Sequence, residues 1–259
     1  MMRHAIVALG ALALGALALG AGLGVGAQAD PRRVLIYGDS NTWGYVASPD
    51  GQPARRYRRD QRWTGLLQQA LGADYEVVED GLNLRTTDLD GESWPDSIMR
   101  PDTVNGSKHL PVSIAANMPL DLVVIMLGTN DLQARYRRSP QQVADAAVGL
   151  AQQVQASSGG IGNAYPAPRV LLVSPVQMAK IPIQGWSERY DGGREKSQHF
   201  AEAFAQAAVK ARIPSFDAAS AIGGGAHGAD GLHLSPADHR QLAAAIAPVI
   251  RETLGAKEP

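Results

Sequence analysis

Three short clusters carry the side chains that could do chemistry together. They are Gly38-Asp39-Ser40-Asn41-Thr42-Trp43-Gly44, Gly128-Thr129-Asn130-Asp131 and Asp230-Gly231-Leu232-His233. A serine hydroxyl is a weak nucleophile until a base takes its proton, and that base needs an acceptor on its other ring nitrogen. Ser40, His233 and Asp230 are of the right types for those three roles, the last two lying three residues apart. An Asn side-chain amide, as at Asn130, is a competent donor to a developing oxyanion. The first N–H groups of a helix starting at Ser40 would be others. Each cluster alone has an ordinary reading: an N-cap serine, a turn Asn-Asp, a surface or core histidine.

The elements around the clusters make the combination specific. Val34-Leu35-Ile36-Tyr37, closed by Gly38, reads as a buried strand. Residues 63–71 have helical apolar spacing and stop at Gly72, and Glu76-Val77-Val78 reads as a second strand. Residues 80–117 read as loop, because Pro95, Pro101 and Pro111 interrupt any period. Residues 122–127 form a continuous apolar run, as in a parallel strand covered on both faces. Ser139-Pro140 opens a helix to about Gln155, and residues 169–174 form another buried strand. Residues 195–211 read as one Ala-rich helix, 215–217 as a short last strand, and Ser235-Pro236 as the cap of a final helix. Strands alternating with helices imply one α/β domain with a parallel sheet covered on both faces. Sites in such sheets lie beyond the carboxyl ends of the strands, where all three clusters fall.

Composition sets the outer limits. The chain has 259 residues, 24 basic and 25 acidic, and no cysteine. The balance of charge argues against a dedicated nucleic-acid binder, and 45% hydrophobic with 19% charged residues argues against disorder. Without cysteine there is no disulfide, thiolate–metal site or thiol nucleophile. Met1-Met2-Arg3-His4, an uncharged Ala/Leu/Gly/Val run over 5–25 and Ala27-Gln28-Ala29 read as a signal peptide over residues 1–29. The expected product is a secreted or periplasmic domain over 30–259, with no membrane span left after cleavage. An uncleaved N-terminal anchor is the alternative reading.

With these residues in place, the chain resembles the SGNH, or GDSL-type, hydrolase family. Gly38-Asp39-Ser40, Gly128-Thr129-Asn130-Asp131 and Asp230-Gly231-Leu232-His233 match its nucleophile, Asn and Asp-x-x-His blocks. The loop Gly81-Leu82-Asn83-Leu84-Arg85-Thr86-Thr87 looks like the second block. Arg62-Trp63-Thr64-Gly65, Asn105-Gly106-Ser107, residues 119–131 and Tyr165-Pro166-Ala167-Pro168 look like the bacterial arylesterase and acyltransferase branch, which includes perhydrolytic members. The resemblance implies a flavodoxin-like three-layer α/β/α sandwich with a five-stranded parallel sheet. It implies serine esterase or acyl-transfer chemistry on a small ester, with water, an alcohol or peroxide as acceptor. It makes Ser40, Asp230 and His233 catalytic, and Ser40, Leu84 and Asn130 the oxyanion donors. Asp39 supports the nucleophile loop. Leu84 stands where most members carry glycine, so its side chain is expected to point away from substrate. The substrate pocket is assigned to Asn41, Trp43 and Leu232, with Asn41 making it more polar. The branch also implies a homo-oligomer.

Other patterns are given their ordinary readings. Asp230, His233, Asp238 and His239 lack a metal-ligand spacing, and neither metal nor cofactor is expected. Gly223-Gly224-Gly225-Ala226-His227-Gly228 fits Gly-x-Gly-x-x-Gly but does not follow a strand of a dinucleotide-binding unit, so it reads as a flexible loop. Arg55, Arg56, Arg58, Arg59 and Arg62 read as a solvated loop or subunit contact. Trp43, Trp94 and Trp186 lie in expected loops where aromatics line pockets, while Trp63 is expected in the core. Two further readings stay open: a carbohydrate O-acetylesterase, and a glycan-binding protein built on the same scaffold.

Overall fold

Strand β1 (Arg32–Gly38) buries Val34, Leu35, Ile36 and Tyr37 completely, so alternate residues feed cores on opposite faces of the sheet. The same holds for β3 (Leu122–Met126), which lies beside it, and this two-sided burial is what makes both read as unbroken apolar runs. The structure, a computed structural model, describes residues 30–50, 53–93, 98–159 and 165–255. The leader expected at 1–29 and Trp94 lie outside the described residues.

In chain order β1 is followed by α1 (Ser40–Trp43), α2 (Trp63–Leu71), β2 (Tyr75–Gly81) and α3 (Gly106–Asn117). After β3 come α4 (Pro140–Gln155), β4 (Arg169–Ser174), α5 (Gln184–Arg189), α6 (Gly193–Ser197) and α7 (Phe200–Ala211). The chain closes with β5 (Ser215–Asp217), α8 (Ala218–Ile222) and α9 (Pro236–Leu254). The five strands are parallel in the order β2-β1-β3-β4-β5, the flavodoxin-like order, which reverses direction at β1. One core holds Leu35, Tyr37, Val123 and Ile125 against residues of α3, α4 and α7. The other holds Val34, Ile36, Leu122 and Val124 against α2 and α9, with Trp63 fully buried in it. This is the three-layer sandwich expected from the sequence. No helix among the described residues is long and apolar enough to cross a membrane.

Two expected elements differ. The region expected as loop over 80–117 contains α3. Asn105 caps it, its side chain accepting from the N–H groups of Ser107 and Lys108 at 3.1 and 3.3 Å. Pro111 removes a single helical bond, and burial of Leu110 and Ile114 offsets that loss. The helix expected over 195–211 is broken between α6 and α7. The cause is Ser197, whose hydroxyl donates to the Arg194 carbonyl (2.7 Å) and accepts from the Met178 N–H (2.9 Å). It ties the break to the segment after β4.

The arginine run is also more than a solvated loop. Arg62 is buried and pairs with Glu79, which Arg56 (3.3 Å), Arg59 (3.9 Å) and the Thr64 hydroxyl (2.9 Å) also approach. The pairing docks the loop before α2 onto β2. The Gly223 to Gly228 segment is a loop after α8, pinned where the Ala226 N–H donates to the Gln177 carbonyl at 2.9 Å.

Candidate active site

The carboxyl ends of β1 and β3 lie side by side, and the chain leaves them through the Ser40 and Asn130 turns. Across from them, the loop before α9 brings His233. Ser40 Oγ–H donates to His233 Nε2 at 2.9 Å, and His233 Nδ1–H donates to Asp230 Oδ2 at 2.9 Å. The Asp230 contact fixes the tautomer, leaving Nε2 as the acceptor that faces the serine. Asp230 Oδ1 also accepts the N–H groups of Leu232 and His233, both at 2.9 Å, so the carboxylate and the imidazole share one turn. Burial alone would raise the Asp230 pKa. The His233 hydrogen bond and charge, with the two N–H groups, outweigh it and hold the carboxyl below its ordinary value. Gly231 sits in the turn at φ +71°, where a Cβ would collide with the Lys180 carbonyl, so glycine alone fits.

Asp39 is buried and caps α1, accepting the Asn41 N–H at 2.9 Å. Burial pushes its pKa up to about 6, an effect that the Asn41 N–H and the His233 charge partly offset. Asn41 does not line the cavity, contrary to expectation. Its Oδ1 accepts the Leu234 N–H (2.9 Å) and its Nδ2 donates to the Leu232 carbonyl (3.4 Å), bracketing His233. Its amide is consumed in joining the serine turn to the histidine loop. Trp43 is likewise not among the lining residues; it packs against Tyr45 (6.3 Å) and under Arg56 (5.3 Å). A cavity of about 270 Å³ opens over Ser40, Leu84, Asn130, Leu232 and His233.

Leu84 occupies the left-handed region at φ 66°. That conformation costs a non-glycine residue roughly 1–2 kcal/mol, whereas glycine adopts it freely. Leu84 therefore keeps the backbone shape of a glycine, with its N–H available. Leu84 borders the cavity. Neither the Ser40 nor the Leu84 N–H is engaged by another group among the described residues. Buried Arg85 holds the Leu84 loop by donating to the Gly38 carbonyl (2.9 Å), the Asp80 carbonyl (2.6 Å) and the Asp80 carboxylate (2.8 Å). Asn130 Nδ2 donates to the Arg85 carbonyl at 3.0 Å, which leaves its second hydrogen for the cavity.

Several lining residues carried no sequence signal. The Tyr45 ring stacks on His233 at 4.2 Å, and Trp186 meets it edge-on at 5.9 Å. Two aromatic rings pack against the imidazole and keep water from it. Trp186 lines the cavity as expected, but from helix α5 rather than a loop. Asn83, Arg189 and Tyr190 complete the wall, and Tyr190 OH donates to Asn130 Oδ1 at 2.7 Å. Tyr45, Arg189 and Tyr190 sit in stretches without a motif, so only tertiary packing reveals them.

The remaining acid–histidine candidates are used elsewhere. Asp238 pairs with His227 at 2.7 Å, and buried His239 accepts the Trp63 N–H at 3.1 Å. Burial lowers the His239 pKa to about 4. Among the described residues no group of three or more His, Asp or Glu side chains could hold a metal ion.

The arrangement can activate a serine hydroxyl, accept its proton and bind a negative oxygen from three sides. Comparison with known proteins points the same way. Residues 36–241 match the model of the GDSL-like lipase/acylhydrolase family. The native aryl esterase of M. smegmatis is 43% identical with a TM-score of 0.80, the match covering 86% of this chain and 99% of that one. Its inhibitor-bound form is 42% identical with the same TM-score and coverage. Est24, a carbohydrate acetylesterase from Sinorhizobium meliloti, is 38% identical with a TM-score of 0.79, covering 85% of this chain and 99% of that one. No curated protein matches the chain. This chain belongs to the GDSL-like lipase/acylhydrolase family, in the SGNH arylesterase branch, and is an ester-hydrolysing enzyme.

Proposed function

We propose that the chain is an exported serine esterase and acyltransferase that takes short acyl groups from aryl esters through an acyl-enzyme on Ser40. The observation that carries this reading is the continuous line from Ser40 Oγ through His233 to Asp230, with both links at 2.9 Å. Ser40 Oγ attacks the ester carbonyl as His233 Nε2 takes its proton. Asp230 keeps the ring oriented and stabilises its charged form. The carbonyl oxygen, now anionic, receives the N–H groups of Ser40 and Leu84 and the Asn130 amide. His233 then returns the proton to the leaving alcohol, and the acyl group stays on Ser40. In the second half water attacks the acyl carbonyl as His233 takes its proton, the acyl–Ser40 Oγ bond breaks, and His233 returns the proton to Ser40 Oγ as the acid leaves. An alcohol in place of water gives a new ester, and the aromatic wall of Tyr45, Trp186 and Tyr190 favours that outcome by keeping the site dry. A cavity of about 270 Å³ suits an acetyl-sized acyl group with a small alcohol. Export rests on the leader read at residues 1–29.

A second reading, a carbohydrate O-acetylesterase, is favoured by the likeness to Est24. One panel separates the two: aryl esters of increasing acyl length against acetylated xylan, in water and with added alcohol. We expect kcat/KM to be highest on aryl acetate, to fall with acyl length, and alcohol to yield transfer product. Turnover confined to acetylated xylan would support the second reading instead. No turnover of any ester, with no covalent labelling of Ser40, would leave a glycan-binding protein.

A further inference from the structure

The Asn130 amide can present either of two faces to the cavity, and only Nδ2 favours an oxyanion. Its orientation is set by two buried partners. Nδ2 donates to the Arg85 carbonyl at 3.0 Å, and Oδ1 accepts from Tyr190 OH at 2.7 Å. A flipped amide would place Oδ1 against the Arg85 carbonyl, acceptor against acceptor. Tyr190 is only 5% exposed, so its hydroxyl has no bulk water to turn to.

The Tyr190 phenol sends its hydrogen to Asn130 Oδ1, an oxygen that can only accept. The bonds thus run in one direction, from Tyr190 through Asn130 to the Arg85 carbonyl, and each polarises the next. Burial raises the Tyr190 pKa above its ordinary value, so the phenol remains a donor at neutral pH.

We infer that Tyr190 is a positioning residue of the oxyanion hole: by donating to Asn130 Oδ1 it holds Nδ2 toward the reacting carbonyl and strengthens it as a donor. The inference rests on the role given to Asn130 above. It adds a second layer, built from the segment after α5, to a hole that the family motifs describe only by its donors.

The test uses Tyr190→Phe, which keeps the ring and removes the hydroxyl, in the whole enzyme. Nuclear magnetic resonance of the Asn130 side-chain amide reads the contact without turnover. We expect its resonances to move and its protons to exchange faster. With 4-nitrophenyl acetate, kcat should fall about 3- to 10-fold, the worth of one neutral hydrogen bond, with KM unchanged. The same substitution made on top of Asn130→Ala should cause no further loss. An unmoved amide resonance overturns the inference, as does an equal kcat loss in both backgrounds, which marks a merely structural role. Should the natural enzyme turn over no ester, the function proposed above fails, while the amide resonance still decides whether Tyr190 holds Asn130.

Discussion

Ser40→Ala should lower kcat on 4-nitrophenyl acetate by about 10⁴-fold or more while the protein still folds. The size of the loss follows from removing the atom that forms the covalent bond. His233 then has no serine proton to accept, and only the oxyanion donors and substrate binding remain to assist water. Folding should survive, because among the described residues the only side-chain hydrogen bond of Ser40 is the one to His233. Losing such a bond costs about 1 kcal/mol. Initial rates and a thermal melt measured on the same sample separate the two effects. Because Ser40 and His233 act as one unit, His233→Ala should cost nearly as much, and the double variant little more than either alone. Substantial turnover by Ser40→Ala would move the nucleophile elsewhere.

Asn130→Ala should lower kcat by about 10²- to 10³-fold, close to 3–4 kcal/mol of transition-state stabilisation, with KM nearly unchanged. The split between the constants is the informative part. A group that binds the oxygen only once it is anionic contributes little to the ground-state complex. The truncation also leaves the Tyr190 hydroxyl and the Arg85 carbonyl without their Asn130 partner. Each orphaned buried group costs roughly 1–3 kcal/mol, so the melting temperature should fall as well. A rise in KM with kcat preserved would make Asn130 a substrate-binding group instead.

The chain announces its fold through β1 and β3, whose two-sided burial leaves unbroken apolar runs, and through the capping boxes at Ser139 and Ser235, which start α4 and α9 where expected. Ser40, Asn130, Asp230 and His233 were legible because each lies in a short turn directly following or preceding such an element. The structure brings all four to one cavity or its immediate wall. Helix α3 was hidden because Pro111 reads as a breaker, while the cap at Asn105 and the burial of Leu110 depend on tertiary contacts. Asn41 was misplaced for a related reason. An amide beside a nucleophile looks like pocket chemistry until its partners, the Leu232 carbonyl and the Leu234 N–H nearly two hundred residues away, are seen. Tyr45 and Tyr190 lie in no pattern at all, and Arg85 lies inside the second block without a role of its own there. Their contributions are a ring against His233, a hydrogen bond to Asn130 and a clamp on the Leu84 loop, and none has a signature in local sequence.

Covalent labelling by a fluorophosphonate, read by intact mass and peptide mapping, tests the central claim most directly. The reagent reacts with a serine whose proton can be removed and whose phosphonyl oxygen can be stabilised. The account predicts one adduct, on the peptide carrying Ser40, with loss of esterase activity in proportion to labelling. It predicts no adduct on Ser40→Ala and strongly slowed labelling of His233→Ala. An adduct on any other residue, or full labelling with esterase activity intact, would contradict it.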